Sequence, residues 1–140
     1  MAEEEFMREA IEDAKKYNHH FGAVIVKDGK IISRAGKRPN GDPRFHAETQ
    51  AIFKATNELN VKDLRGCTLY STCEPCPMCF YMAWITEIDR IVFGASQKDA
   101  IKFGFKEIDV DNDYLNKRSG NRIKIVKGLL KDECLELLKK

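Results

Sequence analysis

Two short segments most constrain how this chain folds, because their side chains form one site only if the fold brings them together. One is Cys76-Pro77-Met78-Cys79 and the other, upstream, is His46-Ala47-Glu48. Two Cys and one His supply three ligands for one metal ion, and Glu48 adds a carboxylate that the ion does not need. If a helix begins near Cys76, two cysteines three residues apart lie on one face, about 5–6 Å from each other. Pro77 suits the first helical position, where its missing N–H costs nothing.

His46 and Glu48 impose a geometric condition on this site. Residues two apart point to different sides of a regular helix, so a shared target has to lie beyond the helix end. Asp42-Pro43 precedes them, which predicts that both residues open a helix. Because side chains tilt toward the helix N-terminus, both can lean toward a site beyond the first turn. We therefore expect the site to lie between two helix starts.

The ligand set indicates catalytic rather than structural chemistry. Zinc held by His46, Cys76 and Cys79 keeps a fourth, tetrahedral position for water, and the pKa of water there falls from about 15.7 to about 7. Glu48 can take a proton from that water and hand it on, as a general acid–base group does. We expect one Zn²⁺ per chain and a hydrolytic reaction.

The two segments resemble the His-x-Glu and Pro-Cys-x-x-Cys signature of zinc deaminases. The chain is similar to the cytidine deaminase superfamily and, within it, to the branch of guanine deaminases and bacterial tRNA adenosine deaminases. The resemblance runs nearly end to end and includes Phe21-Gly22-Ala23-Val24-Ile25-Val26, Asp42-Pro43, Leu69-Tyr70, Glu74-Pro75, Ile91-Val92-Phe93-Gly94 and Gly128-Leu129-Leu130. It implies a cytidine deaminase-like fold of the α/β class, a three-layer α/β/α sandwich around a central mixed five-stranded sheet.

Apolar periodicity predicts helices and strands that alternate along the chain. Four helices are predicted, at about 3–17, 46–57, 77–85 and 129–138. Five strands are predicted, at 21–26, 31–33, 66–72, 88–93 and 123–126, the first two joined by a hairpin at Asp28-Gly29. This alternation implies helices on both faces of a mixed sheet. We expect the polar segment from Asp109 to Arg122 to be a mobile loop near the site.

Length and charge favour a small enzyme. At 140 residues the chain can bury a core, and we expect a single deaminase domain spanning residues 1–140. The net charge of +2 and the pI of about 8.2 carry no strong nucleic-acid footprint. The acidic start has the wrong sign for a targeting peptide and no long apolar span follows, so we expect a cytoplasmic protein with no membrane partner. An odd count of five cysteines fits reduced thiols better than disulfides.

Other interpretations of the cysteines stay open. Cys73, Cys76 and Cys79 could begin an iron–sulfur motif, although a cluster needs a fourth Cys and leaves His46 unused. Cys76 and Cys79 also resemble a dithiol redox motif. A closed site of all three cysteines and His46 would be a structural zinc site without catalytic function. We expect Cys67, Cys73 and Cys134 to be small buried hydrophobes.

The substrate prediction depends on the resemblance. The segment from Asp99 to Glu107 resembles the guanine deaminase pattern, which implies that Glu107 delivers a proton to the leaving group; a solvated Glu107 is the alternative. The resemblance also implies substrate contacts at Phe21, Ala47, Lys37 and Asn40, where Lys37 stands at a position that both families usually fill with Asn. A core position is the alternative for Phe21. We expect His19 and His20 to be surface histidines, with a substrate contact as the alternative.

We therefore predict conversion of guanine to xanthine and ammonia. The alternatives are a tRNA wobble adenosine deaminase, a deaminase of another amino-purine, of cytosine or of a triazine, and a catalytically silent zinc module. A free nucleobase is the expected substrate partner, and tRNA is the less favoured one. The aromatic residues between Phe80 and Ile85 predict a homodimer, because their large side chains are too numerous for a solvent face.

Overall fold

The computed structural model describes residues 3–36, 42–58 and 63–139. Its helices are α1 (Glu3–Lys16), α2 (Ala47–Glu58), α3 (Pro77–Ile85), α4 (Gln97–Lys102), α5 (Asn112–Arg118) and α6 (Lys131–Leu138). Its strands are β1 (Ala23–Lys27), β2 (Lys30–Ala35), β3 (Cys67–Cys73), β4 (Arg90–Ala95) and β5 (Lys124–Lys127). All five predicted strands and all four predicted helices are present, with ends that differ by a few residues.

The five strands form one mixed sheet in the order β2-β1-β3-β4-β5. Strand β1 runs antiparallel to both β2 and β3, whereas β3, β4 and β5 are parallel to one another. Residues Asp28 and Gly29 both have positive φ and connect β1 to β2 as the predicted hairpin turn. The predicted mixed five-stranded sheet is therefore confirmed.

Alternate residues of the strands face two separate hydrophobic cores. Ile25, Leu69 and Ile91 pack on the side of α2 and α3. Val24, Tyr70 and Val92 pack on the side of α1 and α6. Side chains in strands alternate between faces, so each strand contributes to both cores. Each fully buried aliphatic side chain stabilises the folded state by about 1.5–3 kcal/mol. Helices thus cover both faces, as the predicted three-layer sandwich requires.

Helix α1 lies unusually close to the start of β1. A Cβ atom added at Gly22 would stand 2.0 Å from the carbonyl oxygen of Ala10, inside any real contact distance. Only a residue without a side chain allows this approach. Phe21, which precedes it, is thereby held at the end of the sheet.

The expectation of a mobile loop from Asp109 to Arg122 is wrong, because this segment contains α5. Asp111 caps the helix by accepting a hydrogen bond from the backbone N–H of Tyr114 at 2.8 Å. Asn116 is buried and bonds the backbone of Ile123 twice, as donor to its carbonyl at 2.6 Å and as acceptor from its N–H at 3.1 Å. The polar side chains that suggested a loop therefore hold the helix in place.

The fold places the starts of α2 and α3 at the same end of the sheet. Strand β3 ends at Cys73, and the N–H of the next residue, Glu74, donates to the carbonyl of Ala95 at the end of β4 over 2.8 Å. Helix α3 begins three residues later at Pro77.

Within the described residues, none of the helices combines the length and the apolar character needed to cross a membrane.

Candidate active site

His46 immediately precedes α2, and Thr49 fixes it there. The backbone N–H of His46 donates to Oγ1 of Thr49 at 3.1 Å, while the carbonyl of His46 accepts from the N–H of Gln50 at 3.0 Å. The first bond is the side-chain half of a capping box, in which the third helical residue reaches back to the residue before the helix. Glu48 lies in the first turn, so both residues lean beyond the helix start, as their spacing predicts.

Cys76 occupies the corresponding position before α3. Its backbone is extended, with φ −68° and ψ 169°, and Pro77 follows at the first helical position. Cys79 lies within the first turn, where it is fully buried. Because only Pro77 and Met78 separate the two cysteines, both thiols lie at the start of the helix, within hydrogen-bond distance of His46.

The three ligand atoms lie at the distances that a tetrahedral zinc ion requires. Nδ1 of His46 is 3.5 Å from Sγ of Cys76 and 3.4 Å from Sγ of Cys79, and the two sulfur atoms are 3.6 Å apart. Ideal zinc bonds of about 2.0–2.1 Å to nitrogen and about 2.3 Å to sulfur give tetrahedral edges of about 3.6 Å and about 3.8 Å. These residues therefore fit a zinc ion bound through three protein ligands.

The two thiols are electrostatically unequal. The hydrogen bond between the two thiols, reinforced by His46, lowers the pKa of Cys76 to about 4. The same bond to Cys76, together with burial, raises the pKa of the Cys79 thiol well above its ordinary value. At neutral pH the pair therefore holds a ready thiolate at Cys76, the form that binds metal.

Cys73 does not join the ligand set. It is the last residue of β3, and its buried thiol donates to the carbonyl of Ser96 at 3.7 Å. Among the described residues, the cluster of potential ligands consists of His46, Cys76 and Cys79 alone. The closed four-ligand zinc site and the three-cysteine cluster motif therefore find no support. Cys67 and Cys134 are buried elsewhere in the core.

Glu48 is a buried carboxyl at the edge of the ligand set. Its side chain is 5% exposed. Burial raises its pKa to about 7, an effect that His46 partly offsets. A carboxyl group with a pKa near neutrality can both accept and donate a proton at physiological pH, which suits a general acid–base group.

A cavity of about 260 Å³ opens beside the ligand set. The residues that line it are mostly polar or aromatic: His19, Phe21, Pro43, His46, Glu48, Cys73, Glu74, Cys76, Phe105, Lys106 and Glu107. The volume lies slightly below the range of about 300–1,000 Å³ that is typical of drug-sized ligands. A small ligand is therefore the appropriate occupant.

Most of the predicted site residues meet in this cavity. Glu107 is half-buried there, and burial raises its pKa, with the Cys76 thiolate adding to the effect. Phe21 also lines the cavity, so it is not only a core residue. Ala47 is buried in the α2 core and is absent from the cavity lining. Lys37 and Asn40 lie outside the described residues.

Sequence reasoning missed an aromatic group at the cavity. Phe105 meets Phe21 and His20 edge-on, with ring centroids 5.2 Å and 5.0 Å apart. His19, expected on the surface, lines the cavity, and its Nδ1 accepts from the N–H of Phe21 at 3.2 Å. Proximity to Glu107 in the sequence was a signal for Phe105, whereas nothing in the local pattern distinguishes His19.

Comparison with known proteins places this geometry among deaminases. The family model of the cytidine and deoxycytidylate deaminase zinc-binding region matches residues 1–95. A tRNA-specific adenosine deaminase of Aquifex aeolicus is 42% identical over 104 residues, which cover 70% of this chain and 69% of that protein. A guanine deaminase of Bacillus subtilis is 42% identical over 97 residues, which cover 64% of this chain and 62% of that protein.

Solved structures share the whole fold. A guanine deaminase from Nitrosomonas europaea has a TM-score of 0.89 at 25% identity, covering 99% of this chain and 83% of that one. A mutant protein solved in complex with 8-azaguanine also has a TM-score of 0.89, at 26% identity, covering 99% of this chain and 82% of that one. The relatives thus include proteins that act on a free base and proteins that act on tRNA.

Proposed function

Because the chain belongs to the family of cytidine and deoxycytidylate deaminases that share this zinc-binding region, we propose that it deaminates guanine to xanthine. The coarser conclusion, a zinc-dependent hydrolytic deaminase, follows from family membership and from the His-Cys-Cys ligand set. The choice of guanine rests mainly on one observation. Two carboxyl groups, Glu48 and Glu107, line the same cavity as the ligand set.

Two carboxyl groups suit the proton transfers of this reaction. When bound, zinc supplies a Lewis acid that makes hydroxide available near neutral pH for attack on the ring carbon that bears the amine, C2 in guanine. Glu48 takes the proton released by the attacking water and carries it to a ring nitrogen. Glu107 delivers a proton to the exocyclic amine, which then leaves as ammonia. As the C2 hydroxyl group becomes the carbonyl of xanthine, its proton is released and restores the protonated form of Glu107. The raised pKa of Glu107 favours the protonated form that this second role requires.

The aromatic residues and the cavity volume suit a planar base. Phe21 and Phe105 meet at 67° and expose ring surface to the cavity, where a purine can stack or meet an edge. The similarity to a protein solved with 8-azaguanine supports a purine of this size. Lys106 also lines the cavity and can donate to a carbonyl oxygen of the base.

A tRNA wobble adenosine deaminase is the second candidate. It is favoured by the 42% identity to the Aquifex aeolicus relative. In that case the anticodon base would have to leave its stack and enter the cavity. Phosphate contacts would then dominate affinity, so binding would weaken steeply with salt.

One substrate panel separates the two candidates. Purified protein is incubated with guanine, guanosine, adenine, cytosine, cytidine, an amino-triazine and a tRNA anticodon stem-loop, and ammonia release is measured for each. We expect turnover of guanine, with conversion to xanthine followed by absorbance. Turnover of the stem-loop alone would reject the guanine assignment, and a protein that releases ammonia from none of them would reject free-base deamination altogether.

A second copy of this chain is the proposed partner. Helices α2 and α3, with the residues just before α2, expose five large apolar side chains: Phe45, Phe53, Met78, Tyr81 and Ile85. An apolar groove of about 360 Å³ runs between these helices. Phe45, Phe53 and Met78 line this groove together, and exposed apolar side chains grouped in this way favour an interface with another protein.

The free state of all five cysteines supports a reducing, cytoplasmic setting as part of the same proposal.

Light scattering tests the dimer. We expect twice the monomer mass of 16.1 kDa for the wild type at micromolar concentration, and the monomer mass for Phe53→Asp. Tyr17→Asp is the matched control, since Tyr17 is an exposed aromatic residue just after α1 on the other face of the sheet. A wild type of monomer mass would contradict the proposal.

A further inference from the structure

Glu74 lies two residues before the ligand Cys76 and lines the same cavity, and both oxygens of its carboxylate accept hydrogen bonds from backbone N–H groups. One oxygen accepts from the backbone N–H of Gln97 at 3.0 Å, and the other accepts from the N–H of Asn112 at 2.7 Å. Gln97 and Asn112 are the first residues of α4 and α5. The first N–H groups of a helix have no partner within the helix, so one carboxylate satisfies such a group in each of two helices.

The carbonyl of Pro75 makes a second pair of bonds to the same two residues. It accepts from Nε2 of Gln97 at 2.9 Å and from Nδ2 of Asn112 at 2.8 Å. Both side chains are essentially unexposed. Four hydrogen bonds therefore join the two residues before Cys76 to both ends of residues 97–112, which we call the Glu107 segment.

Glu107 lies between those two ends, where the chain has no regular secondary structure. Phe105 packs against Phe21 and His20. Among the described residues, the segment makes two charged contacts, one between Lys98 and Asp109 and one between Asp99 and Lys131, and in each the lysine is exposed to solvent. Surface ion pairs of this kind contribute little. The position of Glu107 relative to Cys76 is thus set at the two ends by Glu74 and Pro75, and in the middle by the contacts of Phe105 with Phe21 and His20.

We propose that Glu74 is a positioning residue for deamination, which holds the Glu107 segment at the working distance from the metal ligands. The proposal rests on the function proposed above. It assigns Glu74 no proton transfer, because both carboxylate oxygens are engaged by backbone N–H donors. Its buried, hydrogen-bonded carboxylate acts on the reaction only through the placement of Glu107.

A double-mutant cycle tests this assignment. In Glu74→Gln the side chain keeps one acceptor but directs an N–H₂ donor at a backbone N–H, so one end of the segment is released. We expect an intact zinc content of one per chain and a fall in kcat of about tenfold or more, with KM changed by less than about threefold. In the Glu107→Gln background the same substitution should leave kcat unchanged, because there is no longer a carboxyl group to misplace. Equal fold-losses in both backgrounds would overturn the proposal in favour of a purely structural role.

A second measurement does not depend on activity. Amide hydrogen exchange is recorded for wild type, Glu74→Gln and the control Asp109→Asn, which removes an exposed carboxylate from the same segment. We expect faster exchange across residues 103–111 in Glu74→Gln alone, with the amides of β3 and β4 unchanged. Unchanged exchange in the segment would overturn the positioning role even if no base were turned over, so failure of the proposed function remains distinguishable.

Substitutions at Asn112 test the same bond without altering Glu74. Asn112→Ala removes only the side-chain donor to Pro75, whereas Asn112→Pro also removes the backbone N–H that binds Glu74. Proline is tolerated at the first helical position, and Asp111 already has the extended backbone that a residue before proline prefers, with φ −81° and ψ 164°. We expect the Pro variant to lose a further severalfold in kcat relative to the Ala variant. Equal kcat values for the two would overturn the role of the bond.

Discussion

The two sides of the cavity are built in different ways. On the metal side, His46, Glu48, Cys76 and Cys79 lie at two helix starts that are defined by neighbours in the sequence, Thr49 for one and Pro77 for the other. On the opposite side, the Glu107 segment obtains its position from distant residues, Glu74 at its ends and Phe21 at its centre.

We propose that the metal side of the cavity carries the hydrolytic chemistry and that the opposite side determines which substrate is accepted. Local signals define each of the two helix starts. The fold then brings the ligand atoms within 3.6 Å of one another, with Glu48 buried nearby, and this arrangement suits hydrolysis. Long-range contacts place Glu107 and the aromatic rings in the cavity, where we propose that they meet the base. We therefore expect substitutions on the metal side to abolish the reaction, and substitutions on the other side to alter its rate and substrate affinity.

The largest effect is expected for Cys76→Ala. Loss of one of three protein ligands should remove zinc and reduce deamination to background. The apparent free energy of unfolding should fall by about 3 kcal/mol at a free zinc concentration of a hundred times the Kd, since bound metal stabilises the folded state. Metal analysis and thermal unfolding measure both. The control Cys67→Ala, at a buried thiol outside the site, should keep its zinc. Full zinc content in Cys76→Ala would show that the metal side of the cavity is not built as described.

Glu48→Gln should have the next largest effect. The amide cannot move a proton between water and the base, so kcat should fall by about 10²–10⁴-fold. Zinc content and folding should not change, because Glu48 is outside the ligand set. The control is Glu58→Gln, at the exposed end of the same helix. Turnover near that of the wild type would remove Glu48 from the mechanism.

Glu107→Gln sharpens the comparison, because its effect should be smaller and selective. We expect kcat for guanine to fall about tenfold to a hundredfold, at or below the lower end of the range for a general acid. Burial raises the pKa of Glu107, so the protonated donor is lost as pH rises through that pKa. The wild-type kcat should therefore show a decline on the alkaline side that the Gln variant lacks, with zinc content equal in both proteins. A pH profile identical to that of the wild type would exclude a donor role.

Phe105→Leu is expected to have the smallest effect. It removes two edge-on ring contacts, to Phe21 and His20, each worth about 0.5–1.5 kcal/mol of stability. KM for guanine should rise severalfold, and kcat should fall less than in Glu74→Gln, because both ends of the Glu107 segment stay bonded to Glu74. Phe103→Leu, at an exposed ring in the same segment, is the matched control. An equal rise in KM for both variants would show that the effect is not one of base contact.

Much of the fold follows from local pattern. Alternating burial in β1, β3 and β4 and the apolar face of α1 are visible as periodicities in the sequence. Helices α4 and α5 are not, because they are short and largely polar. Their stability depends on contacts such as the bonds from Asn116 to Ile123, which join residues through the tertiary structure rather than through any repeat.

The site divides along the same line. His46, Glu48, Cys76 and Cys79 were predicted from their spacing together with the zinc deaminase signature, and the structure brings them together. Glu107 was predicted only through a family resemblance, although it lines the cavity. His19 and Phe105 were missed, since no spacing rule links them to a ligand residue far away in the sequence. The side chain of Ala47 lies in the core. A substrate contact at Ala47 stays a prediction.

The Glu107 segment lies within the connection between the parallel strands β4 and β5, and both of its ends meet at Glu74. Residues inserted, deleted or exchanged between two such fixed ends need not displace the sheet or the metal ligands, since loops on a rigid framework tolerate changes in length. A lineage built on this architecture can therefore acquire a new substrate by changing one continuous stretch of its gene, while the hydrolytic centre is inherited unchanged.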